Sequence, residues 1–292
     1  MKPGFVPALG TPFDKNGKFM AESYKKQIDD QIKAGCRAIL SMGSMGNQAM
    51  ITTEEYPKVA TAAVEAAAGR VPVYVGAMDC SIGKVKERMA KMEHLDIDAF
   101  VFTTPYYGKI TDEMILNYYK GIAAATKHKV MLYDLAVTTQ NKITYEMVLE
   151  MIRDIPNLIG IKSADTVMFR KLKRNPAVPK DFVMVYSGLD TFDVVYPWGI
   201  NTQLDGMLSC TPTNTRLLYE AMERNDFEKA AVYLDNILNL RDMFRANSLW
   251  PCYTVAMNLL GYEGQYGPDY VSPGKDTVPA MVEAEMHRIG EI

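Results

Sequence analysis

A lysine follows directly after a segment that is expected to form a buried strand. Leu158 to Ile161 is a short apolar run, typical of a strand buried on both faces, and Lys162 comes next. Burial disfavours the charged form of an amine, and a neutral amine in a dry pocket is a nucleophile for carbonyl carbons. This stretch alone therefore fits two roles: a strand-end lysine that reaches solvent, or the nucleophile of a Schiff-base enzyme.

Groups that suit the same chemistry follow other predicted strands. Tyr133 is a phenol that can move protons while a carbinolamine forms and loses water. Ser44 and a second phenol, Tyr106 or Tyr107, can relay those protons to solvent, and successive amides in the turn Gly43–Asn47 can hold a carboxylate. Each feature alone also fits a structural role, such as a packed tyrosine or an ordinary turn. Together with Lys162 they are the parts of a Schiff-base aldolase that acts on a 2-oxo acid.

The elements that must position these groups alternate between strands and helices. Eight strand–helix units, spaced by roughly 25–30 residues, predict parallel pairing and a closed (β/α)8 TIM barrel over residues 1–224. The predicted strands are Phe5–Leu9, Ala38–Ser41, Val71–Gly76, Ala99–Thr103, Lys129–Tyr133, Leu158–Lys162, Phe182–Ser187 and Leu204–Ser209. The predicted helices between and after them are Ala21–Ala34, a helix capped by Thr52 or Thr53 that runs to about Ala68, Ser81–Leu95, Thr111–Thr126, Thr144–Ile152, Val167–Arg174, Asp190–Trp198 and Asn214–Arg224.

The last part of the chain, residues 225–292, is predicted to be a C-terminal α-helical extension. Its helices are expected at Phe227–Ala246, Leu249–Leu260 and Val278–Ile289. An open doubly wound sheet is the competing architecture. It requires a glycine-rich phosphate loop after the first strand, and Gly10–Phe13 is not one.

In a barrel of this kind the active site lies at the C-terminal ends of the strands. The polar groups found there extend the candidate list. Asp134 follows the fifth strand, Gly188 and Asp190 follow the seventh, and Ser209 ends the eighth. For Ser209 the structural alternative is polar capping of the next helix.

Composition excludes several other classes of function. The chain has 292 residues, a net charge of −3 and no basic run, so no nucleic-acid partner is expected. No segment approaches ~20 consecutive apolar residues, so no membrane partner is expected either. The N-terminus lacks the apolar core of a signal peptide. The cysteines and histidines are too scattered for a metal site or a disulfide framework, which predicts a cytoplasmic protein with reduced thiols.

Six ordered motifs resemble the dihydrodipicolinate synthase / N-acetylneuraminate lyase family over the whole chain: Gly10–Phe13, Gly43-x-x-Gly46, Pro105–Tyr107, Leu132–Tyr133, Gly160–Lys162 and Ser187–Gly188. The resemblance implies a TIM barrel, a homotetramer built as a dimer of dimers, and no cofactor. It also implies that pyruvate, or the 2-oxo end of a sugar acid, forms a Schiff base with Lys162 while Tyr133 shuttles protons. Ser44 would complete the relay with Tyr107 from the neighbouring subunit.

The departures from the family pattern concern the substrate. Met45 replaces a residue with a hydroxyl, Asn47 replaces a glutamate, and Asp134 stands where the family has asparagine. Thr138 occupies the position of an arginine that binds a second carboxylate in the synthases, so bidentate recognition is lost. Asp190 retains part of a polyol contact. The residues expected to bind substrate are Gly43, Met45, Gly46, Asn47, Asp134, Thr138, Gly188, Asp190 and Ser209.

These features favour a lyase or aldolase that acts on a 3-deoxy-2-oxo sugar acid or a sialate-like substrate, with pyruvate as one component. The alternatives are a synthase-type condensation of pyruvate with an aldehyde, an imine-dependent dehydratase or deaminase, and a barrel that binds 2-oxo acids without turning them over.

Overall fold

A computed structural model describes residues 3–292, which form a barrel of eight parallel strands with helices between them and a helical C-terminal part. The order of neighbours is β1-β8-β7-β6-β5-β4-β3-β2. A parallel bridge between Ala8 and Leu40 then brings β1 beside β2. The predicted TIM barrel is confirmed. Its strands are Gly4–Pro7 (β1), Ile39–Ser41 (β2), Val73–Gly76 (β3), Ala99–Thr103 (β4), Lys129–Tyr133 (β5), Leu158–Ser163 (β6), Val183–Tyr186 (β7) and Thr202–Asp205 (β8).

Several helices begin where a side chain satisfies a free backbone amide. The hydroxyl of Thr111 accepts a hydrogen bond from the amide of Met114, and the hydroxyl of Thr144 accepts one from the amide of Met147, both at 3.3 Å. The helices are Ala21–Lys33 (α1), Tyr56–Ala67 (α2), Ile82–Ala90 (α3), Asp112–Ala123 (α4), Ala136–Thr139 (α5), Tyr145–Asp154 (α6), Thr166–Arg174 (α7), Phe192–Val195 (α8), Pro212–Glu223 (α9), Phe227–Ala246 (α10), Leu249–Leu259 (α11) and Val278–Arg288 (α12).

Several elements differ from the sequence-based expectation. Helix α2 begins at Tyr56 and not directly after Thr52 or Thr53, and α3 ends at Ala90 and not at Leu95. Strand β8 ends at Asp205 because its carboxylate accepts a hydrogen bond from the amide of Met207 at 2.8 Å and turns the chain into a 3-10 segment. The single helix expected at Asp190–Trp198 is α8 flanked by two 3-10 turns, the second of which contains Pro197, a residue that cannot donate a helical hydrogen bond. The four-residue helix α5 has no counterpart in the prediction.

The strands carry two apolar layers. Alternate residues such as Met131 and Tyr133 face the inside of the barrel, while Leu132 packs outward against the helices. The register pairs Tyr133 of β5 with Lys162 of β6. These two residues therefore lie side by side at the C-terminal end of the barrel.

The C-terminal helices are fastened to the barrel by polar contacts. The hydroxyl of Tyr253 on α11 lies 2.6 Å from that of Ser209. The carboxylate of Glu291 accepts hydrogen bonds from the amides of Thr213 and Asn214 at the start of α9. Over the described residues, every helix falls short of the length and apolar character that crossing a membrane requires.

Candidate active site

Lys162 and Tyr133 form a buried contact inside the barrel. The Lys162 Nζ atom lies 3.9 Å from the centroid of the Tyr133 ring, and the two residues are 5% and 4% exposed. Gly160, two residues before the lysine, can only be glycine, because a Cβ there would lie 2.3 Å from the carbonyl oxygen of Val183 on β7. Strands β6 and β7 therefore approach each other closely at Gly160, two residues before the lysine.

Ser44 extends this contact toward solvent. Its hydroxyl lies 3.3 Å from the Tyr133 hydroxyl, and Ser44 is exposed. The hydroxyl can therefore pass a proton between the buried phenol and water. The Lys162 amine therefore lies next to the Tyr133 phenol, and the Tyr133 hydroxyl lies next to that of Ser44.

The turn after β2 has two sets of amides. Those of Asn47 and Gln48 donate to the carbonyls of Ser44 and Gly43, at 3.1 and 3.3 Å, and hold the turn closed. Within the part of the chain that the structure describes, the amides of residues 44–46 have no such acceptor. These amides are the part of the predicted nest that a carboxylate can reach.

Met45 adds an apolar wall to this turn. Its side chain lies across Gly206, where a Cβ would come within 2.8 Å of both Cγ and Cε of the methionine. Met45 also packs, partly buried, against the cluster of apolar residues inside the barrel. A thioether therefore stands at the mouth of the barrel, where related sequences are expected to present a hydroxyl.

Asp134 lies on the opposite face of the barrel wall from Tyr133. Its carboxylate accepts hydrogen bonds from the hydroxyl of Ser163 at 2.7 Å and the amide of Ile143 at 3.2 Å, and it also pairs with Lys142. Burial lowers the pKa of the Lys142 amine, but the carboxylates beside it raise that pKa overall. Asp134 therefore holds the wall together: its amide also donates to the carbonyl of Lys162 at 2.9 Å, and the hydrogen bonds of its side chain go to residues other than Lys162.

Thr138 and Ser209 also lie outside the series of contacts around Lys162. Thr138 is exposed on α5. Ser209 is fully buried, with its hydroxyl 2.6 Å from both the Gly206 carbonyl and the Tyr253 hydroxyl. The structure thus gives Ser209 a role in attaching the C-terminal helices.

Asp190, in the turn that begins with Gly188, forms a bidentate ion pair. Arg241, which is 7% exposed and lies on α10, donates to the two carboxylate oxygens of Asp190 at 2.6 and 2.7 Å. This pairing lowers the pKa of the Asp190 carboxyl. The Asp190 side chain remains 63% exposed, so its outer surface is open to hydroxyl groups. Sequence analysis missed Arg241, because nothing in the sequence pattern of α10 marks one of its charges as reaching the barrel.

Asp205 is a second residue that sequence analysis missed. Burial raises the pKa of its carboxyl. The hydrogen bond from Met207 and the positive charge of Lys162 lower that pKa, but by less than burial raises it. The error has a simple source, since the sequence placed the end of the eighth strand four residues later, at Ser209. The available signal for an earlier end was the pair Asp205-Gly206, a polar residue followed by a glycine.

Tyr107 stands apart from the other candidates. It is 94% exposed, and the structure assigns it no hydrogen bond to residues 3–292. Its neighbour Tyr106 is half-buried, and burial with the nearby Cys80 and Asp79 raises the pKa of the Tyr106 phenol to about 12. Tyr107 projects from the loop after β4 and joins no relay with the other described residues of the same chain.

Comparison with known proteins fits this architecture. The Dihydrodipicolinate synthetase family matches residues 1–269. The chain belongs to this family. It is accordingly an enzyme, a lyase of the pyruvate-aldolase type. Among curated relatives, the 4-hydroxy-tetrahydrodipicolinate synthase of Bartonella quintana is 27% identical, with 99% of each chain covered. The protein of the same name from Hyphomonas neptunium is 29% identical, with 98% of each covered.

Solved structures show the same fold. A prophage protein of E. coli K12, described as a member of the dihydrodipicolinic acid synthase family in complex with pyruvate, superposes with a TM-score of 0.89 at 22% identity over the full length of both chains. The dihydrodipicolinate synthase of Thermotoga maritima gives a TM-score of 0.88 at 22% identity, with 99% of each chain covered. The family match over residues 1–269 confirms the predicted family membership.

Proposed function

We propose that this protein is a Schiff-base lyase or aldolase that cleaves or forms a C–C bond in a 2-oxo acid, with pyruvate as one component. The observation that carries the proposal is the buried contact of Lys162 with Tyr133, whose hydroxyl lies 3.3 Å from that of Ser44. An amine nucleophile next to a phenol and a relay to water is what imine formation requires.

The chemistry follows from these groups. The Lys162 amine adds to the C2 carbonyl of the 2-oxo acid, and loss of water from the carbinolamine gives a protonated imine. The imine accepts the electron pair of the C3–C4 bond as that bond breaks, so an aldehyde leaves and an enamine remains. Tyr133 carries the proton lost from the C4 hydroxyl. Protonation at C3 and hydrolysis then release pyruvate and restore the amine.

For the substrate we propose a 3-deoxy-2-oxo sugar acid or a sialate-like acid. Asp190 supports this choice, because its exposed carboxylate can accept hydrogen bonds from substrate hydroxyls. Thr138 supports it as well, since a threonine cannot bind a second carboxylate as an arginine does. The second candidate is condensation of pyruvate with an aldehyde. It is favoured by the curated relatives, which are named 4-hydroxy-tetrahydrodipicolinate synthases. An imine-dependent dehydratase or deaminase uses the same first step.

We further propose that the active form is a homotetramer in the reducing cytoplasm. Support for assembly comes from Tyr107, whose 94% exposure leaves it free to enter the site of a second subunit. Support for the compartment comes from the cysteines Cys36, Cys80, Cys210 and Cys252, all of which are free thiols.

The test is reduction with borohydride in the presence of pyruvate, followed by peptide mass spectrometry. We expect a pyruvate-derived adduct on Lys162 and none in the Lys162→Ala variant. Lys171→Ala is the matched control, because that lysine also lies over a tyrosine ring, at 5.2 Å, but outside the barrel mouth. Folded protein without an adduct would refute the imine mechanism. Once the adduct is found, panels of sugar acids and aldehydes separate the two candidate substrates.

A further inference from the structure

A buried arginine reaches the mouth of the barrel from the C-terminal helices. Arg241 lies on α10, and charged side chains are rarely buried unless they are paired. Its two Nη atoms donate to the two carboxylate oxygens of Asp190, and its Nε atom donates to Asp242 at 3.0 Å. All three nitrogens of the guanidinium therefore have acceptors, and two of them bind the same carboxylate.

Asp190 lies on the same face of the barrel as the proposed nucleophile. The register pairs Lys162 on β6 with Val185 on β7, and Asp190 follows the end of β7. In barrels of this kind, the loops at the carboxyl ends of the strands carry the active site. Asp190 is the only ionisable side chain among residues 187–191. This turn therefore presents one charged acceptor beside the strand that carries Lys162.

A buried phenol fixes the backbone of this turn. The hydroxyl of Tyr186, at the end of β7, lies 2.6 Å from the hydroxyl of Thr191. Gly188 allows the chain to cross the Tyr186 ring, because a Cβ at this position would overlap the phenol oxygen. The backbone on both sides of Asp190 is thus held, while most of the Asp190 side chain is exposed. Arg241 then sets the direction of the carboxylate.

Contact with two nitrogens of a guanidinium orients a carboxylate more closely than a single hydrogen bond does. Arginine binds as a planar fork, which fixes the plane of the carboxylate as well as its position. An ionised carboxylate has about four acceptor sites, and the fork occupies two of them. The pairing also lowers the pKa of the Asp190 carboxyl, so the group stays ionised at neutral pH. The remaining sites can accept hydrogen bonds from the hydroxyl groups of a substrate.

We propose that Arg241 is a positioning residue for substrate selection. By holding the Asp190 carboxylate in one orientation at the barrel mouth, it makes the enzyme prefer substrates that carry hydroxyl groups beyond the bond that reacts. This inference rests on the proposed function and deepens it, because it assigns the preference to a contact between α10 and the turn after β7. The competing role for the ion pair is to fasten α10 to the barrel, as Tyr253 and Ser209 do for α11.

The experiment compares condensation of pyruvate with two three-carbon aldehydes, racemic glyceraldehyde and propanal, which differ by two hydroxyl groups. Mass spectrometry of the 2-oxo acid product gives kcat/KM for each aldehyde. In Arg241→Gln we expect kcat/KM for glyceraldehyde to fall about tenfold to a hundredfold, mainly through KM, because hydrogen bonds to a charged group are lost. Turnover of propanal and formation of the pyruvate adduct on Lys162 should be unchanged. Arg241→Lys keeps the charge but not the fork, and should lie between the native enzyme and Arg241→Gln.

A double-mutant cycle separates positioning from fastening. Asp190→Asn should cause a similar loss of preference for glyceraldehyde. Adding Arg241→Gln to Asp190→Asn should cause no further loss, because Arg241 acts through Asp190. Arg245→Gln is the matched control, since this arginine lies one turn further along α10, is mostly exposed and pairs with Asp242 at 3.8 Å. It should leave the preference unchanged.

The outcomes distinguish this inference from the proposed function. Equal losses with both aldehydes and a lower melting temperature in Arg241→Gln, or additive losses in the cycle, would leave the pair as a fastening and overturn the inference. Native protein that forms the pyruvate adduct but does not prefer glyceraldehyde, or accepts neither aldehyde, would also overturn it and leave the imine chemistry standing. Absence of the adduct from folded native protein would refute the proposed function, and this inference with it. If Arg241→Gln does not fold, comparison of Arg241→Lys with the native enzyme decides the same question.

Discussion

Tyr133→Phe removes a single oxygen atom from the proposed site. The ring remains, so its packing inside the barrel and its contact with the Lys162 Nζ atom at 3.9 Å are kept. Among the described residues, the hydroxyl of Tyr133 has one hydrogen-bond partner, the exposed Ser44 at 3.3 Å. The substitution therefore separates proton transfer from the positioning of the amine.

The expected magnitudes differ widely. A typical hydrogen bond contributes about 0.5–1.5 kcal/mol to stability, and this long bond to an exposed hydroxyl belongs at the lower end. For a protein of this size, the melting temperature should then fall by less than about 2 °C. General acid–base catalysis contributes about 10²–10⁴ in rate, which corresponds to about 2.7–5.5 kcal/mol of activation free energy. We expect imine formation to slow by that factor while the fold stays intact.

The assay is a timed borohydride quench with pyruvate, in which mass spectrometry gives the fraction of Lys162 converted at each time. Tyr74→Phe is the matched control, because Tyr74 is a tyrosine of the same inner cluster, is 3% exposed and lies on β3. Slowing of less than about threefold in Tyr133→Phe would remove this phenol from the proton path. Equal slowing in Tyr74→Phe would show that the loss reflects barrel packing instead.

Three further predictions concern the surroundings of the site. Gly206→Ala should impair turnover because the new methyl group meets the Met45 side chain at 2.8 Å, and adding Met45→Ala should restore part of the activity, measured as kcat/KM. Asp134→Ala should lower the free energy of unfolding by about 1–3 kcal/mol in urea denaturation, because buried donors lose their acceptor; a change near zero would contradict its structural role. The hydrogen bond from Arg241 lowers the pKa of Asp190, so this pair should stabilise the protein above the carboxyl's ordinary pKa of about 3.9 and lose that effect as the pH falls further. The stability difference between the native protein and Asp190→Asn should therefore shrink between pH 6 and pH 3 in urea titrations, and a constant difference would contradict the pairing.

How much of the structure the sequence predicts depends on the pattern that each feature leaves in the sequence. The eight strands are buried on both faces, so their apolar runs stand out and their order fixes the barrel. Lys162 and Tyr133 could be found because each ends such a run. Arg241 could not be found, because its partner Asp190 is 51 residues away in sequence and only the packing of α10 brings them together.

The sequence also could not show whether a given residue faces the inside or the outside of the barrel. Tyr133 and Asp134 are adjacent, and both follow the pattern of a candidate site residue. The β5–β6 register, however, pairs Tyr133 with Lys162 inside the barrel. One residue further along both strands, Ser163 donates a hydrogen bond of 2.7 Å to Asp134 on the outside of the barrel. Because successive strand residues point to opposite faces, one register supplies both the pair that we propose to react and the hydrogen bond beside it. We therefore expect Asp134 to affect the proposed chemistry through the alignment of β5 and β6. Its loss should displace the Lys162 amine from the Tyr133 ring as well as destabilise the fold.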